Sequence, residues 1–440
     1  MRDRDGRAKR FGGRSDAEAR RSNRSLVMDR SRPMSFEPAA DASLGNQPPT
    51  TGSALEVLAR FLVLGLTSFG GPVAHLGYFR AEFVERRKWL DDDSYSDLVA
   101  LCQFLPGPAS SQVGIAIGLA RAGWAGALAA WVGFTLPSAI ALVLFAFGIA
   151  RWSDLASSGA VHGLKIAAVA VVAQAVWGMA RSLCPDRLRA GLALASALVV
   201  LAAPSSAGQI AAIALGGFVG WWTLRLAPMP PARQFAYGVS RRVGALLLAS
   251  FFLLLLALPA LGSTADWIAP IAVFYKAGAL VFGGGHVVLP LLQAGVVPPG
   301  WVGNDVFLAG YGAAQAVPGP LFTFAAYLGA VMPAPLGGWP GAAILLATIF
   351  VPAFLLVVGA LPFWEAMRRR GALRRAMAGI NAAVVGILVA ALYDPVWTSA
   401  IHSRADFAVA LAAFGLLAYG RVSPVFVVAG AALAGYVLAI

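Results

Sequence analysis

Two interruptions recur in the apolar stretches of this chain, and they recur as a pair. The first pair is Phe61-x3-Gly65-x3-Phe69-Gly70-Gly71-Pro72, followed by Gln103-Phe104-Leu105-Pro106-Gly107-Pro108. The second is Phe274-x3-Gly278-x3-Phe282-Gly283-Gly284-Gly285, followed by Gln315-Ala316-Val317-Pro318-Gly319-Pro320. Glycine and proline at matched places in an apolar run stop a helix short of the far side of a bilayer. The backbone groups they free are tolerated in hydrocarbon only inside protein or around a cavity. Paired breaks of this kind are the signature of a transport site.

The rest of the chain fits a membrane. Apolar residues make up 59% and charged residues 12% of it, where a soluble protein carries about a quarter charged residues. Several apolar runs reach about 20 residues, enough for the roughly 30 Å hydrocarbon core. No alternating barrel pattern is present. The expected class is an all-α polytopic membrane protein whose partner is the lipid bilayer. The net charge of +13 does not point to nucleic acid, because the arginines sit in an N-terminal tail and in short loops, as the positive-inside rule requires. Cys102 and Cys184 have no CxxC or Cys/His spacing, so neither a disulfide framework nor a metal site is expected. No cofactor is expected either.

Residues 1–53 are rich in Arg, Ser, Asp and Gly and read as a disordered, basic cytoplasmic tail. They lack the apolar region of a secretory signal, and Met28 and Met34 leave the true start open. Apolar segments follow at about 54–76, 97–119, 123–150, 159–181, 188–203 and 208–226, then 243–262, then 268–294, 306–331, 340–362, 376–393, 406–419 and 423–440. These are about 13 segments in a six, one, six pattern. The expected organisation is a first transporter half at 54–226, a linker with one connecting helix at 227–266, and a second half at 267–440.

The two sets of six are an internal repeat. Beyond the breaks, Trp89 matches Trp301, Gly123-Trp124-x-Gly126 matches Gly338-Trp339-x-Gly341, and Pro137 matches Pro352. A single extra segment between the halves predicts that they are inverted repeats. Loop charges agree, except for Arg80, Arg86, Arg87 and Lys88, which would lie outside if the first segment crossed fully. Making segments 54–76 and 97–119 re-entrant moves that cluster inside and leaves about nine true crossings. Tyr78 to Trp89 mixes aromatic and basic residues and reads as an interfacial amphipathic helix.

The chemistry is expected at the breaks. Pro106 and Pro108 free the carbonyls of Cys102 and Phe104. A helix restarting at Ala109-Ser110-Ser111-Gln112 offers unpaired N–H groups together with hydroxyl and amide donors, an anion-binding arrangement. Pro318-Gly319-Pro320 with Thr323 repeats it with fewer donors. A kink is the ordinary reading of one such motif; two matched copies favour a site. Gly70-Gly71 and Gly283-Gly284 allow close backbone approach, with small-residue helix packing as the alternative. His75 and His286 flank breaks and could donate to an anion or relay a proton, although a lone histidine is more often structural. Among the few charges in apolar runs, Lys276 is two turns ahead of Gly283-Gly284 and is the sharpest candidate. Lys165 could snorkel, and Arg60 could pair with Glu56 at i,i+4. Asp91-Asp92-Asp93 with Asp97 resembles half of an aspartate-rich Mg²⁺–diphosphate site, the basis of a prenyltransferase alternative. Helix capping explains it more simply. HExxH, GxSxG and Walker A motifs are absent, so no enzyme activity is expected.

Phe69-Gly70-Gly71-Pro72-x-Ala74-His75-x-Gly77-Tyr78-Phe79, Gln103 to Gln112, Phe282 to Pro290 and Gly310 to Phe322 together resemble the chromate ion transporter family in its long, two-halved form, over about 54–440. The resemblance implies a bacterial inner-membrane carrier that exports chromate, with sulfate as competitor or counter-substrate. It also implies a basic residue just before the first Leu-Gly. Val63 stands there, while the second-half equivalent keeps Lys276. The expected site is thus Gly70, Gly71, Pro72, His75, Gln103, Pro106, Gly107, Pro108, Ser110, Ser111, Gln112, Lys276, Gly283, Gly284, Gly285, His286, Gln315, Pro318, Gly319, Pro320 and Thr323, acting on a tetrahedral dianion. Membrane potential, protons or sulfate could drive it. A sulfate or molybdate transporter and an anion channel share these features, and the oligomeric state stays open, a homodimer included.

Overall fold

A computed structural model describes residues 52–151, 159–226, 238–282, 285–420 and 422–438. The expected N-terminal tail lies outside the described residues apart from its last two positions, and so do Gly283 and Gly284. Every regular element among the described residues is helical.

Helix α1 (Ala54–Thr67) is capped by Ser53, whose hydroxyl accepts from the Glu56 N–H, a partner for one of the donors every helix start leaves open. The chain turns extended at Ser68 and resumes as α2 (Gly71–Phe79) behind Gly70, which has φ +100°. A wider turn, Arg80–Arg86, extends α2. Helix α3 (Asp92–Phe104) ends at an extended Leu105, because a residue ahead of proline is pushed out of the helical region. Helix α4 (Ala109–Arg151) breaks at Ala122 and Gly123 into two arms. Then come α5 (Gly159–Leu183), α6 (Arg187–Ala202), α7 (Ser206–Thr223) and α8 (Arg241–Gly262).

The second copy repeats the order. Helix α9 (Ile268–Leu280) stops at an extended Val281, and α10 (Val288–Val296) follows a tight turn at Gly285–Val287. Helix α11 (Asn304–Ala316) stops at an extended Val317, and α12 (Phe324–Val331) follows a turn at Leu321–Thr323. The chain continues through α13 (Gly338–Ala360), α14 (Trp364–Arg369), α15 (Gly371–Ala391), α16 (Arg404–Ala418) and α17 (Pro424–Leu438).

Five of the described helical stretches are long and apolar enough to cross a membrane: Ala109–Ile149, Gly159–Leu183, Arg241–Gly262, Gly338–Arg369 and Gly371–Trp397. The expected figure of about 13 is therefore not supported. The breaks divide several of the apolar runs into helices too short to span, such as α9, α10 and α12. Only 11% of the α8 stretch is buried, against 50–61% for the other four, which places the unrepeated helix at the periphery.

The repeat extends to packing. Helix α1 runs along α4 as α9 runs along α13. A Cβ on Gly65 would stand 2.6 Å from the Gly133 carbonyl oxygen, and one on the matching Gly278 would collide with the Ile349 carbonyl. Two hydrogen atoms at these positions set the helix separation. Helices are also exchanged: α5 packs against α16 and α17, while α15 packs against α6 and α7.

Charged side chains gather at the helix ends. Glu56 pairs with Arg121 at 3.1 Å and lies 3.9 Å from Arg87, so the expected Glu56–Arg60 pair is not the one formed. Lys165 does not snorkel free; it bonds Asp305 on α11 at 2.7 Å. Asp91 caps α3 through the Ser94 N–H. The Arg80 guanidinium bonds Asp92 and holds its carboxyl below the usual carboxylate range. Asp97 pairs with the buried Arg368 of α14 at 2.8 Å.

Candidate functional site

The breaks meet one another across the repeat. The Gly107 N–H donates to the Val281 carbonyl at 2.6 Å, and the Gly319 N–H donates to the Ser68 carbonyl at 2.9 Å. Gly107 and Gly319 are equivalent positions, as are Ser68 and Val281, so each Pro-Gly-Pro turn closes on the first break of the other copy. Both glycines have positive φ, +119° and +94°, a region that side chains rarely enter. The remaining breaks also touch: a Cβ on Gly285 would lie 3.6 Å from the Pro72 ring and 3.9 Å from Leu321.

Around the first-copy break lies a set of buried polar side chains. His75 is 1% exposed and its Nδ1 lies 3.3 Å from Ser110 Oγ. Its ring is held edge-on to Phe134 at 5.1 Å, and Phe79 meets the same ring at 5.0 Å. Such ring pairs contribute about 0.5–1.5 kcal/mol each, so the Phe61–Phe79–Phe83 cluster behind them fixes the imidazole. Gln112 folds back so that its Nε2 donates to the Pro106 carbonyl at 2.8 Å, and its own N–H reaches the Pro108 carbonyl.

Six polar atoms here are buried and have no hydrogen-bond partner: Ser68 Oγ, His75 Nε2, Ser111 Oγ, Gln112 Oε1, Trp131 Nε1 and Thr135 Oγ1. A buried polar group left unpaired costs about 1–3 kcal/mol, and native interiors contain few. All six lie within one set of touching elements. None of the six side chains is an acid or a basic chain such as lysine or arginine. Apart from Gln112 Oε1, each can donate, and the start of α4 adds its open N–H groups.

The second-copy break differs. Thr323 spends its hydroxyl on the Pro320 carbonyl at 2.8 Å. His286 Nδ1 lies 3.0 Å from Tyr311 Oη, and Gln315 keeps an unpaired Nε2. Lys276 is half-buried on α9 and has no ion pair among the described residues. Gln103, expected in the site, is exposed at the end of α3.

Ser68, Trp131 and Thr135 were missed in the sequence reading. The available signal was a hydroxyl two residues before Pro137 where the second copy has Phe350 two before Pro352.

Broken helices that meet in pairs around uncharged buried donors define a helical membrane protein of transporter type. The chain belongs to the chromate transporter family, which it matches over residues 55–221 and again over 268–436. It is 29% identical to a chromate transport protein of Cupriavidus metallidurans, over 89% of this chain and 97% of that one. It is also 29% identical to a chromate transport protein of Pseudomonas aeruginosa, over 81% and 84%. An uncharacterized transporter of Methanocaldococcus jannaschii is 26% identical over 77% of this chain and 83% of its own. No solved structure matches.

Proposed function

We propose that the chain is a secondary transporter, not an enzyme, that exports chromate across the bacterial inner membrane. The observation that carries this reading is the set of six unpaired buried polar atoms at the first-copy break. A tetrahedral oxyanion there would receive hydrogen bonds from hydroxyl, imidazole and indole donors and from the start of α4. Neutral donors suit a site that must release its ligand on the other side. Lys276 is assigned the role of long-range counter-charge during passage.

The reciprocal bonds from Gly107 and Gly319 support two halves, 54–226 and 267–440, arranged as inverted repeats. Each half then supplies one Pro-Gly-Pro turn to the other, and rocking of one half against the other would remake those contacts on the opposite side. In this reading the N-terminal tail and the Arg80–Lys88 cluster are cytoplasmic, with about nine full crossings. Labelling of cysteines at positions 86 and 303 from the same side of the membrane would refute that topology.

Membrane potential is a sufficient drive. Moving one charge through 100 mV is worth about 2.3 kcal/mol, so a dianion leaving a negative interior gains about 4.6 kcal/mol, a gradient on the order of a thousandfold. Coupling to protons or sulfate is an additional route.

Chromate uptake by inverted vesicles, with sulfate and molybdate as competitors and with the potential collapsed, tests the reading. Saturable uptake that falls when the potential is removed is expected. Absence of chromate uptake alongside sulfate or molybdate uptake would reassign the substrate, and flux without saturation would indicate a channel.

A further inference from the structure

The two copies of the break make the same reciprocal backbone bonds through Gly107 and Gly319 and are unlike in what surrounds them. Where the first copy places Ser68, His75, Gln112, Trp131 and Thr135, the second places Val281, Val288, Phe324, Leu346 and Phe350. Ser110 becomes Phe322. The one retained hydroxyl, Thr323 for Ser111, already donates to a carbonyl in its own turn. Phe322 and Phe350 fill the space, with ring centroids 5.6 Å apart. A hydrophobic filling of this kind offers an oxyanion few donors, Gln315 Nε2 being the unpaired buried side-chain donor at this break.

The arm of α4 after Gly123 explains how the first copy is completed. Trp131, Thr135 and Ser138 follow one another at i, i+4 and i+7, so they share a face. That face points at the junction of the copies, because a Cβ on Gly319 would lie 2.9 Å from Ser138 Oγ and the Gly319 N–H is the donor to Ser68. Trp131 packs edge-on to Phe350 at 5.8 Å. Its indole N–H can only donate, and it is buried without an acceptor.

We infer that each chain binds a single oxyanion, at the first-copy break alone, and that Ser68, Trp131 and Thr135 complete that site. The second copy supplies the turn that shapes the site from outside, through Gly319. The inference rests on the oxyanion reading above and narrows it from two symmetric half-sites to one.

Equilibrium binding of labelled chromate to the purified full-length protein gives the stoichiometry without any substitution. The expected value is about one per chain. Thr135→Val removes a hydroxyl at nearly constant volume and should weaken binding about tenfold, as should Ser68→Ala, since each deletes one hydrogen bond to a charged ligand. Unfolding midpoints measured alongside separate lost binding from lost folding. Saturation at two chromates per chain overturns the inference and leaves the transport reading standing. Unchanged affinity in both folded variants also overturns it. A folded wild-type protein that binds none of chromate, sulfate or molybdate overturns the oxyanion reading itself, and this inference with it.

Discussion

Gly319 donates its backbone N–H to the carbonyl of Ser68 at 2.9 Å, joining the second Pro-Gly-Pro turn to the end of α1. In a bilayer neither group has water as an alternative partner, so the contact anchors two chain breaks at once. Its counterpart, Gly107 to Val281, does the same for the other pair.

Gly319→Ala should therefore be costly beyond its size. The residue has φ +94°, and the added methyl would stand 2.9 Å from Ser138 Oγ. Left-handed backbone costs a non-glycine residue about 1–2 kcal/mol. The expected result is a lower unfolding midpoint in detergent together with chromate uptake reduced at least tenfold. A stable variant with full uptake would show that the turn tolerates remodelling.

His75→Leu should reduce chromate uptake by about tenfold or more at unchanged protein level, since it removes a buried donor and leaves Ser110 Oγ without its 3.3 Å partner. Uptake within twofold of wild type would remove His75 from the site.

Lys276→Ala should abolish chromate resistance in cells while the protein still accumulates in the membrane. The side chain is half-buried and carries no ion pair among the described residues, so its loss breaks no bond within the fold. An ionisable group kept in an apolar helix is otherwise expensive. Resistance close to wild type would dismiss the counter-charge role.

Asp97→Asn should destabilise the protein by about 2 kcal/mol, because Arg368 is 5% exposed and loses its 2.8 Å carboxylate partner. Glu365 remains 3.6 Å away. Combining Asp97→Asn with Arg368→Met should recover most of the loss, as a double-mutant cycle on unfolding midpoints would show. Additive costs would mean the pair is not coupled.

The places where helices stop were legible in advance. Proline and glycine act on their own backbone, so Leu105, Val317 and Ser68 fall at breaks that local chemistry dictates. The partners of those breaks were not legible, since nothing in Pro106-Gly107-Pro108 says that its N–H will reach Val281. Long-range charge pairing failed for the same reason. Arg60 looks correctly spaced for Glu56, but Arg121 and Arg87 approach Glu56 from other elements. Lys165 finds Asp305, on a helix of the other copy. The unpaired buried donors beyond the motifs were not legible either. Ser68, Trp131 and Thr135 are ordinary residues in apolar runs, and only their burial without partners distinguishes them. Gln103 is exposed at the end of α3, which was not legible because a motif position carries no information about which way a helix end faces.

The exchange of helices has a bearing on biosynthesis. Helix α5 packs on α16 and α17, which are translated about 220 residues after it. Until they emerge, the part of α5 that they cover has only lipid or an insertion factor to rest against. Helices α6 and α7 likewise wait for α15. A chain stalled before Gly371 would strand three finished helices without these partners, which makes residues 371–438 the step that commits the molecule to its fold.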